Sequence, residues 1–221
     1  MVTLPRKTLE RNLLVEGYAP LIGVDEVGMA CLAGPVVVCA VAVDPDFYDH
    51  AHPALANLRD SKALLPHQRE RYAEALLRQT SFRWRIASRD PVVIDRINIY
   101  QASRDAMREA VQKLVAGSFK RESPEHKPMI LVDGNKLVSG LELSQRAIVK
   151  GDRRVWAIAA ASILAKVHRD RLMIEYAREY PDYGFEQHKG YPTRLHYARL
   201  KQYGPCALHR RSFLRKLTQH S

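Results

Sequence analysis

Asp25 and Glu26 stand side by side at the end of a short apolar run, Leu21, Ile22 and Val24. Asp133 closes a second run, Met129 to Val132, and Asp152 follows a third, Ala147 to Val149, by way of Lys150 and Gly151. Ionised carboxylates delivered by apolar segments are costly to bury unless something offsets their charge. Where every ligand is oxygen, that something is usually a hard divalent cation. No His or Cys has ligand spacing beside these acids, which disfavours zinc and suits Mg²⁺ or Mn²⁺. Two such ions close together would activate water and stabilise the leaving oxygen in an in-line attack on a phosphodiester. The plain alternative is a solvated Asp-Glu pair at a strand end, and the apolar flanks weigh against it. Other acids read differently. Asp170 and Glu175 lie beside Arg169, Arg171 and Arg178 as solvated pairing partners on a helix, and Asp60 reads as a turn or capping residue.

The balance of charge fits such a centre. With 35 Lys and Arg against 24 Asp and Glu, the formal net charge of the 221 residues is +11. That excess favours a polyanion, because Lys and Arg neutralise phosphates and release counterions. Anionic membrane is the competing partner, and a merely solvated basic surface is the third option. Hydrophobic content of 46% and charged content of 27% describe an ordinary globular chain, long enough for one substantial core with a small appendage. Cys31, Cys39 and Cys206 are odd in number and without motif spacing, so they read as buried free thiols in a reducing compartment. The N-terminus lacks a signal-peptide core, and the longest apolar stretch, Met29 to Val43, is interrupted by Gly34-Pro35 and too short to span a bilayer. A cytoplasmic protein with no membrane partner is expected.

The elements that must position the acids follow from periodicity. Residues 3–16 suggest an amphipathic helix with Leu9, Leu13 and Leu14 on one face. Strands over 21–27 and Val36 to Val43 flank a small-residue turn, Gly28 to Pro35, and a Pro-, Asp- and His-rich loop spans 44–59. Ser61 before the next helical stretch could cap it, or with Lys62 hold a phosphate at its N-terminus. Phe82, Trp84 and Ile86 alternate with Arg83, Arg85 and Ala87 as a half-buried strand, and Asp95 to Val115 reads as one helix. The runs at 129–135 and 147–149 are strands, and Trp156 to Tyr180 a long Ala-rich helix. From Pro181 the chain turns poor in aliphatics and rich in His, Lys, Arg and Tyr. This order describes an α/β domain with a mixed sheet, in which strand-end acids can converge on one edge.

The segments GVDEVG, LAGPVV, DSK, INIYQAS, LVDGN, VKGD, IAAASILAKV, RDRLM, YGFEQHKGYPT and HRRSF, in that order over residues 20–213, resemble the type 2 ribonucleases H, the ribonuclease HII family. The resemblance implies a ribonuclease H-like fold: a mixed five-stranded sheet flanked by helices over residues 1–180, with a small basic helical extension over 181–221 that contributes to substrate binding. It implies an endoribonuclease, dependent on Mg²⁺ or Mn²⁺, that cuts the RNA strand of RNA–DNA hybrids; nothing in the sequence points to an oligomer, and a monomer is expected. Single ribonucleotides embedded in duplex DNA would also be cut, and products would carry 5′-phosphate and 3′-hydroxyl ends. By matching motif, Asp25, Glu26, Asp133 and Asp152 resemble the four metal-coordinating catalytic acids. Tyr191 resembles the residue that stacks on the sugar at the RNA–DNA junction, and Ser61 and Lys62 resemble backbone-phosphate contacts. An aromatic among basic residues, as Tyr191 is, independently suits nucleic acid. His188, His196, His209 and Arg210 would either line the groove or make tertiary hydrogen bonds.

One motif departs from the family. Where it usually carries Gly-Arg-Gly to clamp the 2′-hydroxyl and adjacent phosphate, this chain reads Gly28-Met29-Ala30, and Cys31 stands at a position usually Pro. Met29 cannot donate to a phosphate, so one charge-assisted contact worth about 1.5–3 kcal/mol is lost. Ala30 fits the turn only with negative φ. The expectation is intact metal chemistry with weakened or rearranged junction recognition. The rival readings are a non-catalytic binder of hybrids on the same fold and a metal nuclease acting on DNA alone.

Overall fold

The computed structural model describes residues 9–50, 52–55, 58, 64–118 and 127–215. The β-branched run Val36–Val43 forms β2, every residue of it buried, and it pairs antiparallel with β1, Tyr18–Val27. Near-continuous apolar runs suit strands covered on both faces. β3 (Phe82–Arg89) pairs antiparallel with β2, β4 (Lys127–Asp133) parallel with β1, and β5 (Ser144–Ile148) parallel with β4. The five-stranded mixed sheet has the order β3-β2-β1-β4-β5.

Helices cover both faces. Leu21, Leu131, Cys39 and Val41 face the long helix α5, Trp156–Glu179, joined by α1 (Leu9–Val15) and α2 (Pro66–Leu77). Ile22, Val24, Val38, Ile130 and Val132 face α4, Ile99–Ser118, whose Ala106, Met107, Ala110, Val111 and Leu114 form its stripe. The alternation within β1 and β4 is the period of two that lets one strand serve two cores. Gly23 permits the closest approach: a Cβ there would stand 2.1 Å from the Ala157 carbonyl carbon of α5. Helix backbone therefore lies directly on the central strand.

Several expectations change. The helix read as Asp95 to Val115 is two helices, α3 (Pro91–Ile97) and α4, broken at Asn98, whose φ is 66°. Asn tolerates this left-handed conformation better than most residues, and its Oδ1 accepts the N–H groups of Tyr100 and Gln101 at 3.0 and 3.1 Å as the cap of α4. The loop over 44–59 contains 3-10 turns at Pro45–Asp49 and Pro53–Leu55, and Phe47, Tyr48 and Leu55 enter the core. Trp84 lies 37% exposed. The N-terminal helix is described only over Leu9–Val15.

Past α5 come a 3-10 turn at Pro181–Tyr183 and the helices α6 (Phe185–His188), α7 (Arg194–Tyr203) and α8 (Arg211–Leu214). Ala33, Met173, Tyr183, Phe185 and Leu208 form a small core of their own that binds this segment to α5 and to the turn after β1. All three cysteines are free, Cys31 and Cys39 buried and Cys206 partly so. Among the described residues, no helix is long and apolar enough to cross a membrane.

Candidate active site

Parity and register bring the acids together. Val24 of β1 stands opposite Val132 of β4, so Asp25 and Asp133 are the next residues on neighbouring parallel strands. Each follows residues that alternate toward α5 (Leu21 and Gly23 in β1, Met129 and Leu131 in β4), so both acids belong to the α5 face at the same sheet end. Adjacent strands lie about 4.8 Å apart, which makes the two carboxylates near neighbours. Asp133 is held by the Gly151 N–H, which donates to its Oδ1 at 2.7 Å. Gly151 opens the 3-10 turn Gly151–Arg153, and this turn buries Asp152 to 6% exposure. A Cβ on Gly151 would meet Ile158 Cδ1 at 2.5 Å and Asp133 Oδ1 at 3.2 Å, so a larger residue there would have to push the Ile158 side chain aside. Lys150 enters it in the left-handed region, φ 55°.

Asp25 is the electrostatic centre. It is 5% exposed, and burial, with the charges of Glu26 and Asp133 adding to it, pushes its carboxyl up to about 8. Opposing this, the Ser162 side chain from α5 hydrogen-bonds it, and the Glu26 N–H donates to its Oδ1 at 2.8 Å. A carboxylate that gives up its proton reluctantly beside two others is short of positive charge, and a hard divalent cation supplies it. The donors are all oxygen, so the residues fit Mg²⁺ or Mn²⁺. Among the described residues, no three His, Cys, Asp or Glu side chains are gathered tightly enough to hold an ion by themselves. Neighbouring strand residues such as Asp25 and Glu26 tend to opposite faces. Mg²⁺ characteristically takes one or two carboxylates and completes its shell with water and substrate phosphate.

The turn after β1 lies against the C-terminal helices. Gly28 takes φ +95° with Arg169 behind it, where a Cβ would meet the guanidinium Nε at 2.5 Å. Met29 packs against the cluster of Val36, Ile94 and Ala102. Ala30 is exposed, and is not among the described residues of positive φ, so the turn accommodates its methyl without left-handed strain. The Leu32 N–H donates to Gly190 O, the Gly34 N–H to Leu208 O and the Arg210 N–H to Leu32 O, each at 2.8 Å.

Two fully buried arginines complete this support. Arg169 donates to the carbonyls of Pro35, Lys189 and Ala33 at 2.8–3.0 Å, and Arg210 to those of Gly34 and Met29 at 3.0 and 3.3 Å. Arg169 is thus a tie between segments and not a surface partner for Asp170, which pairs with Lys166 at 2.7 Å. The histidines resolve the same way. His188 bonds Tyr183 O, His196 bonds Tyr191 O, and the Nε2 atoms of His196 and His209 lie 3.0 Å apart. All three are buried and make tertiary hydrogen bonds.

Tyr191 stands half-buried beside this turn. Its side chain shares a hydrogen bond with the Cys31 thiol, and burial pushes its hydroxyl up to about 12. Lys166 Nζ lies 5.2 Å and the Arg169 guanidinium 5.8 Å from its ring centroid. Ser61 and Lys62 lie outside the described residues. The sequence pattern assigned no role to Ser162 or Lys166 and read Arg169 only as a surface partner, although the three are polar residues at i, i+4 and i+7 on a helix otherwise rich in buried Ala and Ile. That spacing was the available signal.

Comparison with known proteins agrees with this layout. The family described as Ribonuclease HII matches residues 22–216. A ribonuclease HII of Pelodictyon phaeoclathratiforme is 46% identical over 200 residues, covering 90% of this chain and 92% of its own. The crystal structure of ribonuclease H2 from Pyrococcus horikoshii superposes with a TM-score of 0.70 at 25% identity, covering 90% of this chain and 97% of that one. Bst ribonuclease HIII, solved with Mn²⁺, has a TM-score of 0.71 at 19% identity over 92% of this chain and 70% of its own, a likeness of fold alone. Sheet order, paired strand-end acids and sequence identity lead to one conclusion: the chain belongs to the ribonuclease HII family, and is an enzyme of the ribonuclease class.

Proposed function

We propose that this chain is a divalent-metal-dependent endoribonuclease. It cuts the RNA strand of RNA–DNA hybrids and single ribonucleotides embedded in duplex DNA, leaving 5′-phosphate and 3′-hydroxyl ends. The observation that carries the reading is Asp25, buried among like charges with its carboxyl pushed up to about 8. Asp25, Glu26, Asp133 and Asp152 would hold Mg²⁺ or Mn²⁺, which when bound would activate the attacking water and stabilise the leaving oxygen. Ser162 and the Gly151 N–H orient Asp25 and Asp133. The turn at Gly28-Met29-Ala30 faces the ribonucleotide with backbone amides, since Met29 is committed to apolar packing and brings no cation. Tyr191 reads the sugar at the junction, and the helical segment from residue 181 holds the duplex against it. Ser61 and Lys62 would contact the backbone.

The test uses the protein with Mg²⁺ or Mn²⁺ and three labelled duplexes: all DNA, DNA with one ribonucleotide, and an RNA–DNA hybrid. Cleavage of both ribonucleotide substrates and not of DNA is expected. Cutting of the hybrid alone would mean that the altered turn has removed junction recognition. Silence on all three with binding retained would leave a hybrid binder, and cutting of DNA would overturn the substrate class. Asp133→Asn should abolish cutting while leaving binding in place. Met29→Arg with Ala30→Gly should raise single-ribonucleotide cleavage by about ten- to a hundredfold, the range that one charge-assisted contact of about 1.5–3 kcal/mol gives. An unchanged rate would mean that position 29 has no part in recognition.

A further inference from the structure

Tyr191 borders a cleft of about 390 Å³ between α2, α5 and the segment before α7. Arg69, Lys166, Arg171 and Lys189 bring positive charge to its walls, against the carboxylates of Glu70 and Asp170. Lys166 is their hub. Its Nζ donates to Asp170 Oδ1 at 2.7 Å and sits 5.2 Å from the Tyr191 ring centroid, while the Asp170 carboxylate also faces Arg69 at 3.7 Å. The Lys166 side chain is only 15% exposed. Burial draws its ammonium down from the ordinary lysine value despite the nearby carboxylate. An ammonium has three donors and Asp170 takes one of them.

Position along α5 matters as much as chemistry. Ser162, which steadies Asp25, lies four residues before Lys166 on the same helix face. That is about 6 Å along the axis, between one and two steps of a duplex strand at about 3.4 Å each. One face of α5 therefore presents, in order, the support of the carboxylates, a half-buried cation, and the ring of Tyr191 above it. A strand laid from the acids toward Tyr191 would carry a phosphate past the ammonium.

We propose that Lys166 is a phosphate-binding residue of the substrate groove: its ammonium ligates a non-bridging oxygen of a backbone phosphodiester one or two nucleotides from the scissile bond. Asp170 holds the ammonium in place until the phosphate arrives, and the same cation backs the Tyr191 ring. The inference deepens the nuclease reading above and rests on it.

The experiment measures binding of an RNA–DNA hybrid by fluorescence anisotropy in EDTA, from low to moderate KCl, for wild type, Lys166→Met and Lys166→Arg. Lys166→Met should bind about tenfold more weakly at low salt, with a log–log salt slope shallower by about one. Lys166→Arg should keep the wild-type slope. A packing role alone would weaken binding with the slope unchanged, and that result, like unchanged affinity, would overturn the proposal. A second measurement needs no folded variant. Wild type should lose the same tenfold on a hybrid with one neutral methylphosphonate one or two nucleotides from the cut, and equal affinity there would also overturn it. Cleavage of the unmodified hybrid by wild type with Mg²⁺, run in parallel, keeps the two readings apart. If it cuts and the slopes agree, Lys166 alone is dismissed; if it neither cuts nor binds, both readings fall.

Discussion

Asp25 owes its chemistry to three neighbours, Glu26, Asp133 and Ser162, of which a strand pattern supplies only the first. Its burial is dictated by the apolar run before it, and its repulsion by Glu26 is a matter of adjacency, so both were legible in the sequence. Asp133 enters through the parallel register of β1 and β4, and Ser162 through the contact of Gly23 with Ala157, which only the tertiary structure reveals. On the function proposed above, Ser162 would position a metal ligand from outside the coordination shell. Ser162→Ala should therefore lower metal affinity and activity about 10–100-fold, checked by Mg²⁺ titration of the cleavage rate. Asp25→Asn should abolish activity and yet stabilise the metal-free protein at pH 8, by an amount on the order of a few kcal/mol. Thermal melting in EDTA at pH 5 and pH 8 measures this: wild type should lose stability at the higher pH, and the variant should not lose it to the same extent.

At the scale of elements, apolar runs located β1, β2 and β4, because burial on both faces leaves an uninterrupted signal. β3 showed only as an alternation, and the strand read at 147–149 is β5, Ser144–Ile148, with Val149 beyond its end and exposed. The division of α3 from α4 was not legible. Both helices keep their apolar stripes, and the break depends on one side chain turning back to cap the second helix, which periodicity does not register. Asn98→Ala removes that cap and puts a Cβ residue without Asn's tolerance at φ 66°. It should cost about 1–2 kcal/mol in urea unfolding, and Asn98→Gly, which relieves the backbone but not the cap, should cost less. The roles of His188, His196 and His209 stayed open in the sequence for a related reason. An imidazole near basic residues looks the same whether it faces a phosphate or a carbonyl, and only the bonds to Tyr183, Tyr191 and one another separate the two.

Across the whole molecule, two buried sites pull stability in opposite directions with pH. Asp25 holds a proton in the folded state up to about pH 8, against 3.8 ordinarily, so the metal-free fold weakens as pH rises through that interval. His196 and His209 are pushed down to about 4 from 6.5 by burial. The unfolded chain takes up protons there that the folded one refuses, so stability falls as pH drops from about 6.5 toward 4. Melting temperature in EDTA should peak near pH 6. Mg²⁺ at about a hundred times its dissociation constant should lift the alkaline side by about 2.7 kcal/mol. The first amides of α5 present a different kind of dependence. The N–H groups of Trp156 and Ala157 donate to the buried carboxylate of Glu10, 146 and 147 residues away, which also accepts the Tyr48 hydroxyl. On the ribosome α1 leaves the exit tunnel long before its partner exists. The helix that steadies Asp25 and carries Lys166 thus stays uncapped until the oldest and the newly made parts of the chain meet.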